Sequence, residues 1–165
     1  MSKLKIIGIV ALIVFAMGIF LAGDALAGEK FKCRTVTFTT KYTQIDVGDE
    51  DGHLVAVWEG KGIQNNMEGK WFNDGWTDVI RGVSDLNIKT GVGSMVYYGY
   101  VTDKDGDKYY YKGELKNMKL SQWEIYKGTG KFEGIRGSGT STQFYFPAEM
   151  LFYANAEWDV EVPRR

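Results

Sequence analysis

The sequence predicts an all-β protein, an antiparallel sheet of about eight strands closed into a barrel, preceded by an N-terminal signal-peptide helix. Three observations carry this. From Met150 to Val162 the chain alternates, with Met150, Phe152, Ala154, Ala156, Trp158, Val160 and Val162 set against Leu151, Tyr153, Asn155, Glu157, Asp159 and Glu161. That period of two makes one face of a long strand apolar and, from Tyr153 onward, the other polar. Ahead of it, Gly128 to Gly139 holds five glycines in twelve residues, with Phe132 and Ile135 the only large apolar side chains, which is a composition of turns, bulges and close backbone approach. Finally, nothing after the leader alternates a strand with a long amphipathic helix, which excludes parallel-sheet and helix-rich enzyme folds. A closed barrel is preferred to a two-sheet sandwich because Gly60, Gly62, Gly82, Gly99 and Gly113 fall inside strand candidates, where a small barrel needs kinks.

The leader comes first. Lys3 and Lys5 precede an apolar run from Ile6 to Ala22, and Ala25-Leu26-Ala27 supplies small residues at minus three and minus one. This is the pattern of a signal peptide cut after Ala27, leaving one domain over 28–165 and an exported product, periplasmic or secreted. The other reading is an uncleaved anchor, since the run is near the lower limit for a membrane span. Asp24 stands where a lipid-attached form would need cysteine. After cleavage no stable membrane insertion is expected.

The domain is long enough to bury its own core. The chain has 20 basic and 21 acidic side chains, of which the leader takes Lys3, Lys5 and Asp24. This near balance argues against nucleic acid as a partner, which calls for a basic face. Cys33 is the single cysteine, so no internal disulfide forms, and a structural role suits it better than that of a nucleophile. His53 is the single histidine; with no second histidine and no Cys/His cluster, no metal site is expected, and no cofactor is implied. No serine sits in a nucleophile-elbow pattern, and His53, beside Asp51 and Gly52, reads as a solvated turn residue.

Along the domain, Phe31 to Thr43 is a strand by its threonine, valine and aromatic content, and 47–53 is a turn. Leu54 to Ile63 is the next strand, bent by Gly60 and Gly62. Gln64 to Gly75 is polar and reads as a loop or short hairpin with a floppy tip. Trp76 to Leu86 follows as a strand, and then Met95 to Val101 and Lys108 to Leu115 form the clearest hairpin about the Asp-Gly connection 102–107. Asp103, Asp105 and Asp107 alternate with Glu114 at the twelfth position, as in a calcium loop, but Lys108 occupies the glycine position and both flanks are strands, so a solvated hairpin tip is expected. Gln122 to Lys127 leads into the glycine corner, and a turn of helix fits only around Pro147 to Met150.

Lys127-Gly-Thr-Gly-Lys-Phe-Glu-Gly-Ile-Arg-Gly137 resembles a glycine-rich segment of the allene oxide cyclase and dirigent proteins. The 47–53 turn resembles a loop that begins one of the cyclase strands, and Phe144 to Asp159 fits their closing strands. The resemblance implies a calycin-like eight-stranded barrel whose lumen holds an apolar or phenolic molecule, often in homotrimers. The cyclase glutamate has no counterpart, since Cys33 to Gln44 contains no carboxylate and Asp46 and Asp49 lie beyond it.

The rings are the strongest functional clue. Aromatic residues make up 15% of the chain, more than a leucine-built core calls for, and rings with polar tips suit a partly wet lumen. The candidate lining residues are Trp58, Tyr98, Tyr100, Tyr111, Trp123, Phe144, Phe152 and Trp158; the same rings would equally serve as core filling. Glu59 and Glu114 interrupt apolar strands, either as inward carboxylates able to work as acid or base or as outward residues of an alternating strand. The expected function is binding of a small apolar or aromatic molecule without catalysis. The alternatives are a cyclase- or dirigent-like enzyme or guide using Glu59 or Glu114, and a structural barrel with a filled core and no cavity of about 300 Å³.

Overall fold

A computed structural model describes residues 27–69, 75–146 and 149–162. The signal-peptide expectation lies outside these residues, as does the first half of the Pro147 to Met150 turn. Eight strands follow in chain order: β1 (Ala27–Asp46), β2 (His53–Glu68), β3 (Trp76–Asn87), β4 (Val92–Thr102), β5 (Lys108–Lys116), β6 (Leu120–Gly128), β7 (Arg136–Phe146) and β8 (Leu151–Val162). Each pairs antiparallel with the next, and β8 returns to β1 over Ala27 to Phe38, closing the barrel. A single 3-10 turn at Gly130–Phe132 joins β6 to β7.

Two boundaries differ from the sequence expectation. Gln64 to Glu68 is strand rather than loop, because these polar residues pair with Lys32 to Thr35 of β1 and Gln64 turns its amide into the barrel. The last part of the glycine corner is strand as well: Gly137 and Gly139 pair with Val160 and Trp158 of β8.

The period of two places one set of side chains inside. In β3 these are Trp76, Asp78, Ile80, Gly82 and Ser84; in β4, Met95, Tyr97, Gly99 and Val101; in β8, Phe152, Ala154, Ala156, Trp158 and Val160. The strand glycines, expected as kinks, act chiefly as space. A Cβ on Gly82 would lie 2.6 Å from Cζ2 of Trp58, one on Gly113 would lie 2.7 Å from Cζ of Tyr97, and Gly99 yields to Tyr111 in the same way. Large rings therefore lie flat across neighbouring strands that lack a side chain. Gly82→Ala is expected to cost about 1–3 kcal/mol by overpacking, since the added methyl meets both the indole and the Val96 carbonyl oxygen. Denaturant melts of Gly82→Ala alone and with Trp58→Phe check this; the smaller ring should restore part of the loss.

The end of the barrel at the starts of β3, β5 and β7 is plugged. Phe132, 1% exposed, meets Trp76 at 5.5 Å and Tyr109 at 5.7 Å, both edge to face. Such pairs are worth about 0.5–1.5 kcal/mol each beyond the area they bury. Beside them the Asp-rich hairpin tip is not simply solvated. Asp103 is buried, and its Oδ1 accepts the backbone N–H groups of Asp105 and Asp107 at 2.9 Å each. Its Oδ2 pairs with the Lys131 ammonium, which also reaches Asp105 at 3.2 Å and lies 5.7 Å from the Trp76 ring. The alternating aspartates thus anchor the glycine corner to the β4–β5 hairpin.

Candidate functional site

A cavity, partly open to solvent, lies inside the barrel. Its walls are Thr35 and Thr37 of β1, Trp58 and Gln64 of β2, Asp78 and Ile80 of β3, and Met95, Tyr97 and Val101 of β4. Tyr111, Trp123, Ser141, Gln143, Phe152, Ala154, Ala156 and Trp158 complete them. The cavity has a volume of about 70 Å³, room for the centres of about five waters. Counted between the lining atoms with its open mouth, the space reaches about 670 Å³. The interior is therefore neither solid nor a wide channel, and at about 70 Å³ the cavity falls short of the about 300 Å³ of a ligand pocket, on the side expected of a filled core.

Of the rings named from sequence, Trp58, Tyr111, Trp123, Phe152 and Trp158 line this cavity. Tyr98, Tyr100 and Phe144 do not. Tyr98 and Phe144 are 58% and 48% exposed, Tyr100 packs on Tyr110 across the outer wall, and Phe144 packs on Tyr153 there. In β4 both faces are apolar, so composition could not tell Tyr97 from Tyr98; the register decides it. Near the mouth Phe152 stacks on Trp58 at 5.7 Å and on Tyr145 at 4.5 Å.

Neither glutamate lies in the lumen. Glu59 sits between inward Trp58 and inward Gly60, so it faces outward, where Arg81 at 2.8 Å, Lys41 at 3.8 Å and Thr40 at 3.3 Å cover it. Burial opposes its charge, but Arg81 and Lys41 outweigh that and hold the carboxyl below its ordinary range. Glu114 is half-exposed on the outer wall and pairs with Lys116 at 2.8 Å.

The lumen carboxylate is Asp78, which sequence reasoning missed. It is 4% exposed, and its Oδ1 accepts the Tyr111 hydroxyl at 2.8 Å. Burial pushes its carboxyl up to about 7, against the lowering effect of the Tyr111 and Val79 hydrogen bonds. The available signal was parity: counted from Trp76, Asp78 shares the apolar face. Deeper in, the Tyr109 hydroxyl donates to Gln64 Oε1 at 2.7 Å, while Gln64 Nε2 and Trp158 Nε1 donate to Cys33 Sγ at 3.0 and 3.2 Å. Burial pushes the Cys33 thiol up to about 11, which makes it a neutral structural acceptor and no nucleophile. Higher up, Tyr97 bonds Ser121, whose hydroxyl in turn donates to the Glu114 carbonyl at 3.0 Å. The arrangement can hold a flat guest against rings, satisfy one polar group at Asp78 and Tyr111, and exchange a proton there near neutral pH.

His53 is not merely solvated. Nδ1 contacts Asp49 at 2.6 Å and Nε2 contacts Asp85 at 2.8 Å, tying the β1–β2 loop to the end of β3 on the rim. Asp85 first and Asp49 second raise its pKa, and the ring serves as an anchor outside the lumen. Among the described residues no group of His, Cys, Asp and Glu is placed to hold a metal ion.

The sequence matches no family model and no curated protein. Solved structures do resemble the fold. One pterocarpan synthase dirigent protein superposes with a TM-score of 0.55 at 11% identity, covering 86% of this chain and 99% of its own. A second does so with a TM-score of 0.53 at 9% identity, covering 87% and 93%. A pyocyanin demethylase gives a TM-score of 0.47 at 12% identity, covering 78% and 98%. At these identities the likeness is one of fold, that of a dirigent-like closed barrel.

Proposed function

We propose that this dirigent-like barrel is a binding protein for a small apolar or aromatic molecule, held in the lumen by rings and read by one polar pair, Asp78 and Tyr111. The observation that carries this is a buried acid, Asp78, set on the wall of a cavity among tryptophans. The leader-like segment 1–27 supports an exported setting for this task.

The test is a titration with one-ring phenolic and neutral aromatic compounds, followed by tryptophan fluorescence, since Trp58, Trp123 and Trp158 all line the cavity. A saturable change is expected, weakened about tenfold or more by Gly99→Leu, which drives Tyr111 into the lumen. No saturable change with any compound would sink the reading.

A second reading is favoured by the Asp78 and Tyr111 pair. A buried acid whose pKa is about 7 is suited to give or take a proton, as a guide or isomerase steering an unstable intermediate requires. The dirigent-like fold supports a guide role at the level of fold. In that reading Asp78→Asn keeps guest binding and loses conversion.

A further inference from the structure

We propose that the lumen selects an organic cation: a guest of about one ring bearing a positive, N-alkylated or protonated nitrogen, seated between the Asp78 carboxylate and the surrounding tryptophan and tyrosine faces. This rests on the reading that the lumen takes a small molecule, and it names the chemical class.

Among the described residues the walls carry one carboxylic acid, Asp78, and no lysine, arginine or histidine; the remaining polar lining is threonine, serine, glutamine and tyrosine. A guest with a carboxylate head would bury its charge beside Asp78 with no cation to meet it, which excludes fatty-acid-like ligands. A cation meets the reverse. A carboxylate has about four acceptor sites. Asp78 spends them on the Tyr111 hydroxyl and a backbone bond to Val79, so capacity is left on the lumen side.

The rings supply the rest. Tyr111 meets Tyr97 at 6.3 Å and 74°, Trp123 at 5.9 Å and 56°, and Trp158 at 6.4 Å and 90°. These rings pack edge to face or tilted on one another along the cavity wall, and Tyr97, Tyr111, Trp123 and Trp158 all border the cavity. An alkylated ammonium seated against such aromatic walls is attracted through the ring quadrupoles. Burial makes the empty site costly to ionise, and a bound cation reverses that cost, so cation binding and loss of the Asp78 proton are linked.

The experiment compares three guests of similar size by calorimetry on the full protein: N-methylpyridinium, toluene and benzoate, at pH 8 and again at pH 5.5. The cation is expected to bind at least tenfold tighter than toluene at pH 8, and benzoate weaker than either. Asp78→Asn should bring the cation down to the level of toluene. At pH 5.5 the cation should lose about tenfold, while toluene is unchanged. The other groups near Asp78 are Cys33 of β1, Tyr97 of β4 and Tyr109 and Tyr111 of β5, all pushed upward by burial and silent in this range. Should Asp78→Asn fail to fold, the pH series on the unaltered protein still decides. Equal affinity for toluene and the cation, or cation affinity that is flat with pH, overturns cation selectivity and leaves lumen binding standing. Binding by none of the three, nor by the phenolic compounds, overturns both.

Discussion

Lys131→Met is expected to destabilise the barrel by about 3–5 kcal/mol, because it strands a buried carboxylate. The Asp103 side chain is 0% exposed, while the Lys131 side chain is 34% exposed, so water reaches the ammonium and not the acid it neutralises. The same ammonium lies over the rings of Trp76 and Phe132, at 5.7 and 5.4 Å, so methionine keeps the stem's packing and loses the charge. Thermal unfolding should fall by on the order of 10 °C. The double variant Lys131→Met with Asp103→Asn should recover part of it, since the amide leaves no charge to strand and can still accept the N–H bonds of Asp105 and Asp107. A loss under about 1 kcal/mol would place Asp103 in contact with water and remove the argument.

Asp78→Asn should stabilise the protein at pH 8 and have far less effect at pH 4. The Asp78 carboxyl titrates at about 7 in the folded barrel, against 3.8 for the ordinary group. Between those values the folded state holds a proton that the unfolded chain has released, so unfolding releases a proton and stability falls as pH rises. The shift of about three units amounts to about 4 kcal/mol, present at pH 4 and lost by about pH 7 to 8. Asparagine has no proton to lose, and its Oδ1 can still accept the Tyr111 hydroxyl, so the variant lacks this slope. Denaturant melts of both proteins at pH 4.5, 6 and 8 measure it. A stability difference that does not change with pH would show Asp78 to be well solvated or paired with a cation.

Much of the fold was legible in the chain. Alternation in Met150 to Val162, the hairpin about 102–107 and the lack of helical periodicity lead directly to an antiparallel barrel. The polar stretch Gln64 to Glu68 was misread because its strand character comes from pairing with β1, and neither propensity nor hydropathy carries that. The lining was half legible. Trp58, Tyr111, Trp123, Phe152 and Trp158 reach the lumen, whereas Tyr98 and Tyr100 lie on the outer wall of β4, apolar on both faces, and Phe144 lies outside on β7.

By itself the sequence determined the strand period, the glycine-bearing positions, the single cysteine and histidine, and the wealth of rings, because these are local properties of composition and spacing. Only the tertiary structure decided that Asp78 is the acid inside while Glu59 and Glu114 stand outside. It also decided that Gly82, Gly99 and Gly113 make room for Trp58, Tyr111 and Tyr97, and that Lys131 neutralises Asp103. The physical reason is common to all three: a side chain's face and its charge partner depend on the register between strands far apart in the chain, and a shift of one residue would exchange inside for outside.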